Sequence, residues 1–570
     1  MKSRPIPLND WIIIILFACV FVLFYILPLD QRIYYLGDDF AQYIQHARNI
    51  SQNRPYASLP YPFNPQAQFG PPAYPPIYPL LLSPFASDHG LQIFLFKAET
   101  VVFLILTILV LYKIFQHLGG AYIAREVLFT FTFLPWIFDT MGDLGSTTPY
   151  VLFSSLALWS FITLPVDRPS WLHALSTGIL IAIAALTRDI GIALWIGGGL
   201  YFLQKIREKP EHKAVLLIQF LIISLIFIFS KIAWEFYESQ QGLGPSNWIY
   251  FRTSLGLNEI TLMGFLKRLT SNFYYYLQKS YEILFPVSSL IRPVPILKWL
   301  RFPLGVVILS ILFWQIFKSR REPFLPVTLY SVAYLGIFII MDYHISRNGV
   351  RMIIPITPFL LFYLFKGFKE WSMSLYNPFS PSVYQYIILI WIGLSILGTS
   401  QFLSSRESLQ NLALSPEGPA YQTMTAHIKQ KLPQDARIAY YKLRYLSLYT
   451  DRQTVIPPFL GPPSFSGPTS QIINYLKQWQ VTHILLDDQF IIEEKPLRKT
   501  MEQFPDYFSS CYASPPLHLY KFSAKGIKDS NVQTSSLPHL SLESIRLSSS
   551  QASKPFLLKP FFMDHGAPRA

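Results

Sequence analysis

The chain has 570 residues, of which 51% are hydrophobic and only 14% charged. Soluble domains carry about 25% charged residues, so this composition excludes an ordinary soluble enzyme and indicates an integral membrane protein. The formal charge of +14 sits mainly in short clusters between apolar runs, which fits topology determinants and phosphate contacts and argues against a nucleic-acid surface.

Taken in chain order, Lys2 and Arg4 precede "WIIIILFACVFVLFYIL". That run exceeds a signal-peptide core and no small-residue cleavage site follows, so it reads as an uncleaved first transmembrane helix. Of the two cysteines, Cys19 lies inside this run and Cys511 near the other end of the chain, which makes a disulfide between them improbable and leaves no CxxC motif. Spans of roughly 20 apolar residues fall near 11–28, 94–115, 124–140, 149–164, 172–187, 190–204, 214–232, 302–318, 324–341, 352–366 and 384–402. The expected fold is therefore an α-helical polytopic membrane protein of about eleven transmembrane helices. Basic residues such as those of "QKIREKPEHK" and "FKSRRE" occupy alternate loops. The positive-inside rule then places the N-terminus in the cytoplasm and the loops 29–93, 141–148, 233–301 and 342–351 outside.

The first outer loop contains "YYLGDDFAQYIQHARNI". Asp38 or Asp39 suits the N-cap of a helix over 40–52. Helical spacing puts Asp39, Tyr43, Ala47 and Ile50 on one stripe and Asp38, Gln42, Gln45 and Asn49 on the next. One stripe is expected to rest on the bilayer interface and the other to face a polar cavity. Acids at membrane depth are functional candidates by default. The next outer loop, "FDTMGDLGS", adds Asp139 and Asp143 at the same membrane face. Arg188 and Asp189 occupy a turn between two apolar helices, open to two readings: a local ion pair, or an arginine for a phosphate. "DYHISRNGVRMIIPITPFLLF" gathers His344, Arg347 and Arg351 in the last short outer loop, and guanidinium groups bind phosphate oxygens in a fork.

From about 404 the composition becomes that of a soluble domain. "ARIAYYK", "THILLDD" and "LHLYKF" read as strands and "SQIINYLKQWQ" as an amphipathic helix. The division is thus 1–403 transmembrane, 404–523 a small extracytoplasmic α/β domain, and 524–570 a disordered tail rich in Ser, Pro and Lys.

Several segments together resemble the GT-C superfamily of polytopic glycosyltransferases, which includes protein O-mannosyltransferases and lipid A aminoarabinose transferases. Asp39, Tyr43, Ala47 and Arg48 match its D-x-x-x-Y-x-x-x-A-R helix. "AYPPIYPLLLSPF" is similar to its Pro-Pro segment, "LTRDIGIAL" to its T-R-x-x-G segment and "RMIIPITPFLL" to its R-x-x-x-P-x-x-P segment. The chain departs from it in having Tyr74 where the aminoarabinose transferases have Lys, and Asp-Asp where the mannosyltransferases have Asp-Glu, so neither acceptor class carries over.

The resemblance implies a membrane glycosyltransferase, of the bacterial inner-membrane type, that takes a sugar from a polyprenyl-phosphate donor to a lipid, glycan or protein acceptor. An acceptor hydroxyl attacks the anomeric carbon with inversion, and Asp39 takes its proton. Asp38, Asp139 or Asp143 orients the acceptor, and Tyr43, Gln42 and His46 support it. Arg188, His344, Arg347, Arg351 and Tyr74 bind the lipid phosphate. A cofactor is not required by these residues; a divalent cation is left open, with Asp39 and Asp143 as its candidate ligands. The competing readings are a transporter or flippase, which should show mid-helix ionisable residues and two-half symmetry, and a polyprenyl-diphosphate-dependent ligase.

Overall fold

A computed structural model describes residues 8–27, 38–62, 73–86, 91–142, 144–240, 261–284, 301–319, 323–341, 350–374, 380–406, 418–457, 469–491 and 494–524. The proposed tail, from 525 onward, lies outside these residues. The helices of the first part are α1 (Leu8–Phe21), α2 (Asp38–Ser51), α3 (Ile77–Leu82), α4 (Ile93–Gly119), α5 (Ala121–Thr132), α6 (Pro135–Gly142), α7 (Thr147–Thr163), α8 (Trp171–Thr187), α9 (Ile192–Glu208) and α10 (Lys213–Gln240). After them come α11 (Leu262–Leu284), α12 (Arg301–Lys318), α13 (Leu325–Ile340), α14 (Thr357–Ser374) and α15 (Ser380–Arg406).

Among the described residues, three helical stretches are long and apolar enough to cross a membrane: Ile93–Gly119, Pro210–Gln240 and Val383–Gln401. Ile15–Ile26, Trp171–Thr187, Gly305–Lys318 and Leu325–Ile340 are shorter apolar helices. Two expected features differ. The run 124–140 is not one helix: Pro135, which lacks a backbone N–H and disfavours helical geometry in the residue before it, starts α6 after a break at Phe133 and Leu134. The loop expected over 233–301 instead contains α11, whose Asn272 amide donates to the carbonyls of Ile339 and Met341 at 3.0 and 2.9 Å. Gly120, with φ +86°, separates α4 from α5 in a conformation that side chains other than glycine rarely adopt.

The C-terminal part contains α16 (Pro419–Lys431), α17 (Leu443–Thr450), α18 (Thr469–Gln478) and α19 (Lys495–Gln503) around five strands. These are β1 (Arg437–Ala439), β2 (Gln453–Val455), β3 (His483–Asp487), β4 (Phe508–Ser514) and β5 (Leu517–Phe522), in the order β2-β1-β3-β5-β4. β1 pairs in parallel with β2 and β3, while β5 runs antiparallel to both β3 and β4. β3 is buried along its whole length, as a central strand covered on both faces should be. The three strands and one helix expected from sequence are present; β2, β4, α16, α17 and α19 were not anticipated.

Residues 1–522 form one compact unit. An apolar cluster shared by both parts explains why. It joins Phe40, Tyr43, Ile44 and Ala47 of α2 to Tyr78, Leu82 and Phe96, and to Tyr421, Tyr445, Leu446, Leu448 and Leu485 of the α/β part. α2 is therefore enclosed rather than laid on an interface. Gln42, His46 and Asn49 are as buried as Ile44, which corrects the expectation that one stripe of this helix rests on the bilayer.

Candidate active site

The helix carrying the paired acids begins at Asp38, so Asp38 and Asp39 lie in its first turn and neither is its cap. Negative charge there is favoured by the helix dipole. Asp39 does more than meet that dipole. Its Oδ1 accepts a hydrogen bond from the Tyr74 hydroxyl at 2.8 Å and one from Arg444 Nη1 at 3.3 Å. Its Oδ2 stands 3.9 Å from Arg351 Nη1, an ion pair longer than a hydrogen bond. Burial opposes the charge on Asp39, yet Arg444, Arg351, the Tyr74 hydroxyl and, more remotely, Arg188 together hold its carboxyl below the usual carboxylate range.

The Tyr74 side chain is placed by α2. The His46 ring donates from Nδ1 to the Tyr56 carbonyl at 2.9 Å and accepts the Tyr74 backbone N–H at Nε2, 3.3 Å away. This pair of bonds assigns the neutral tautomer protonated at Nδ1. The Gln42 amide sits 3.2 Å from the same Nε2. The Tyr56 hydroxyl donates to the Tyr74 carbonyl at 2.7 Å, so both main-chain groups of Tyr74 are held. Pro75 and Pro76 then fix the turn into α3. Burial and the neighbouring Asp39 push the Tyr74 hydroxyl well above 10, with Arg444 opposing. It stays a donor to the carboxylate.

Two further segments converge on α2. The Tyr43 hydroxyl lies 2.9 Å from Ser146 Oγ, and the next residue, Thr147, accepts a 2.6 Å bond from Arg188 Nη1. Arg188 also reaches the Met352 sulfur. It makes no ion pair with Asp189; that acid instead takes Lys231 at 2.6 Å. The reading of a local Arg188–Asp189 pair is thus excluded, and Arg188 points toward the side on which Asp39 and Arg351 lie. The backbone explains how: Arg188 is extended after α8 (φ −151°, ψ 134°), and the chain doubles back so closely at Gly191 that a Cβ there would meet the Ala185 backbone at 2.6 Å. Only glycine fits that return.

Arg351 lies on a short 3-10 turn, Val350–Met352, followed by a second at Ile354–Ile356. Its neighbour Met352 is tied down through its carbonyl, which accepts the Tyr334 hydroxyl at 2.7 Å. Pro355 and Pro358 sit where no helical donor is needed, Pro358 in the first turn of α14.

The structure brings together Asp39, Tyr74, Arg188 and Arg351, with Tyr43, Gln42 and His46 behind them. Asp139 lies on α6, but its side chain, like that of Asp38, is outside the described residues, as are Asp143, His344 and Arg347. Among the described residues no group of three or more His, Cys, Asp or Glu side chains is placed to hold a metal. The two guanidinium groups and the hydroxyl around Asp39 are donors, a set that does not fit a cation.

Sequence reasoning missed Arg444. It belongs to α17 in the α/β part, where "YKLRYLSLYT" carries no motif. Its side chain is 3% exposed against 51% for that of Asp39, and its guanidinium stands 5.6 Å from the centre of the Tyr74 ring, within cation–π range.

Compared with known proteins, no family model matches the chain, and no curated protein matches it by sequence. Solved structures do match. ArnT from Cupriavidus metallidurans, bound to undecaprenyl phosphate, aligns over 91% of this chain and 99% of its own, with a TM-score of 0.56 and 13% identity. The chain shares the fold of that structure. The archaeal oligosaccharyltransferase AglB from Archaeoglobus fulgidus, in complex with an inhibitory peptide and a dolichol-phosphate, aligns over 91% of this chain and 75% of its own, with a TM-score of 0.53 and 13% identity. A further structure of the Archaeoglobus fulgidus oligosaccharyltransferase, in the apo form, gives a TM-score of 0.52 at 12% identity, covering 88% of this chain and 72% of that one. The acid helix, the Pro-Pro turn, the T-R-x-x-G turn and the R-x-x-x-P-x-x-P segment each contribute a side chain around Asp39.

Proposed function

We propose that this chain is a membrane glycosyltransferase that moves a sugar from a polyprenyl-phosphate donor to a lipid, glycan or protein acceptor at the extracytoplasmic face of the plasma membrane. The observation that carries this reading is the pairing of one half-exposed carboxylate, Asp39, with an equally open guanidinium, Arg351, at 3.9 Å. Such a pair offers a proton acceptor and an anion site side by side. Both of the named neighbours bound to a lipid phosphate, ArnT and AglB, are consistent with a donor of this class.

In this mechanism the acceptor hydroxyl approaches Asp39 Oδ2, the oxygen left open. The acceptor oxygen forms its bond to the anomeric carbon as the bond from that carbon to the phosphate oxygen breaks. The electron pair leaves on the lipid phosphate, and the acceptor proton passes to Asp39. A single displacement inverts the anomeric carbon. Arg188 and Arg351 stabilise the charge that develops on the leaving phosphate, and His344 and Arg347, in the same outer loop as Arg351, are assigned to that site. Asp38, Asp139 and Asp143 remain assigned to the acceptor side. The topology that goes with this function has about eleven spans, a cytoplasmic N-terminus and an extracytoplasmic α/β part.

The test is transfer in membranes supplied with polyprenyl-phosphate sugars. Asp39→Asn should lower turnover by about 10²–10⁴-fold while leaving binding of undecaprenyl phosphate intact. Full activity in that variant removes Asp39 as the base. Turnover only with a diphosphate-linked donor would reassign the chain as a ligase.

A further inference from the structure

Asp39 has two oxygens in different surroundings, and the difference comes from the α/β part. Oδ1 faces inward to Tyr74 and to Arg444, whose side chain is 3% exposed. Oδ2 faces Arg351, whose side chain is 47% exposed, across 3.9 Å. Arg444 also holds the Tyr74 hydroxyl from Nη1 at 2.9 Å, so Arg444, Tyr74 and Asp39 close a three-membered ring of hydrogen bonds. Two helices and a turn meet in it: α2 supplies the acid, the segment before α3 the hydroxyl, and α17 the guanidinium. α17 is itself fastened to α2, because Arg48 donates to the Leu448 carbonyl at 3.3 Å and lies 3.6 Å from Asp451.

We propose that Arg444 is a positioning residue for the reaction, supplied by the α/β part: by occupying Oδ1 together with Tyr74 it fixes the carboxylate of Asp39 in its ionised form and presents Oδ2 as the oxygen that receives the acceptor proton. The α/β part is on this view a component of the active site and not an appended module. The inference rests on Asp39 being the base, and it adds what orients and charges that base.

The physical argument turns on charge and reach. The Asp39 side chain is half exposed, but what burial it has favours the protonated form unless fixed cations face it. The groups facing Asp39 are Arg444 from α17, Arg351 from the 3-10 turn before α14, Arg188 from the end of α8, and the hydroxyls of Tyr74 and Tyr43. When a lipid phosphate is bound, Arg188 and Arg351 are shared with it, and their hold on Asp39 weakens. Arg444, buried and bonded to Oδ1 rather than Oδ2, continues to oppose protonation.

The experiment reads the protonation of Asp39 without needing turnover. The full-length protein in detergent micelles is treated with a water-soluble carbodiimide and an amine nucleophile across a series of acid to neutral pH values. Tandem mass spectrometry then gives the labelled fraction of Asp39 separately from Asp38. Because the carbodiimide reacts with the protonated carboxyl, wild-type Asp39 should label only at pH values below the usual carboxylate range. In Arg444→Gln the half-labelling pH should rise by about one unit or more, and Arg444→Lys should restore most of the difference. A labelling curve for Arg444→Gln that superimposes on wild type, in protein that remains folded and monodisperse, overturns the proposal, as does wild-type labelling that extends to neutral pH. If the curves move as expected while Asp39→Asn keeps full transferase activity, the arrangement stands and the assignment of Asp39 as base fails. The two ideas are therefore separable.

Discussion

Arg444 and Tyr74 are 370 residues apart in the chain, and the guanidinium of one donates to the hydroxyl of the other at 2.9 Å. The same hydroxyl donates to Asp39 at 2.8 Å. One phenol thus relays a contact from the α/β part to the acid in the first turn of α2. Tyr74→Phe keeps the ring and its packing but removes the relay. A hydrogen bond to a charged group contributes about 1.5–3 kcal/mol, so kcat/KM for transfer should fall roughly ten- to a hundredfold. The fold should persist, checked by an unchanged elution profile in detergent; undiminished transfer would mean that Arg444 alone orients Asp39.

Asp189 is kept from Arg188 by Lys231, 2.6 Å away, with side chains only 20% and 18% exposed. Lys231→Met should release Asp189 to compete for the neighbouring guanidinium. The expected result is a rise of about fivefold in the KM for a polyprenyl-phosphate donor, corresponding to about 1 kcal/mol, with little change in kcat. Adding Asp189→Asn to the same chain should return KM toward wild type, since the competing charge is gone. A double-mutant cycle on donor KM checks this, and simple additivity would count against it.

His46 gives the site a pH-dependent stability. Burial, aided by Arg444 and opposed by the Tyr56 carbonyl, pushes its imidazole down from 6.5 to about 3. Between those values the unfolded chain carries a proton that the native one does not. The native state is therefore unpenalised above about 6.5 and loses about 1.4 kcal/mol per pH unit as the pH falls through that window. Thermal unfolding in detergent should show the wild-type midpoint falling more steeply with acid than that of His46→Gln. Parallel slopes would show that His46 is not the group responsible.

Arg48 joins α2 to the last turn of α17, through the Leu448 carbonyl at 3.3 Å and Asp451 at 3.6 Å. A cation at a helix C-terminus contributes about 0.3–1 kcal/mol, and Lys429 holds Asp451 from the other side at 3.0 Å. Arg48→Ala should therefore leave the protein folded but speed proteolytic cleavage in the α/β part, read by limited digestion in detergent. Transfer should fall along with it, because Arg444 is then less firmly placed. An unchanged digestion rate would show that the shared apolar cluster alone holds the two parts together.

How much of this was legible in the sequence depends on the range of the forces involved. Composition alone marked the chain as a membrane protein, since apolar runs of about 20 residues have few other uses. Motif order gave Asp39, Arg188 and Arg351, because each sits on a turn or first helical turn whose local chemistry is written in adjacent Pro, Gly and Asp residues, and Tyr43 follows from Asp39 by helical spacing. Gly191 is the clearest instance: its neighbours fix a return so tight that no side chain fits. The strands β1, β3 and β5 were visible for the same reason, as short apolar runs bounded by turn residues.

What the tertiary structure decided is what meets what. Nothing local distinguishes Arg444 from any other arginine in a short helix; its burial against Asp39 exists only because α17 packs on α2 across about 400 residues of chain. The same holds for Asp189, whose pairing with Arg188 the sequence left open and which α10 supplies with Lys231 instead. It holds too for α2, one stripe of which was expected to rest on the bilayer interface but which is enclosed, packed against the α/β part. Spacing along a helix fixes which side chains share a face, through local geometry. Which face meets another element depends on the burial of apolar surface summed over the whole chain, and that sum has no signature in any one segment.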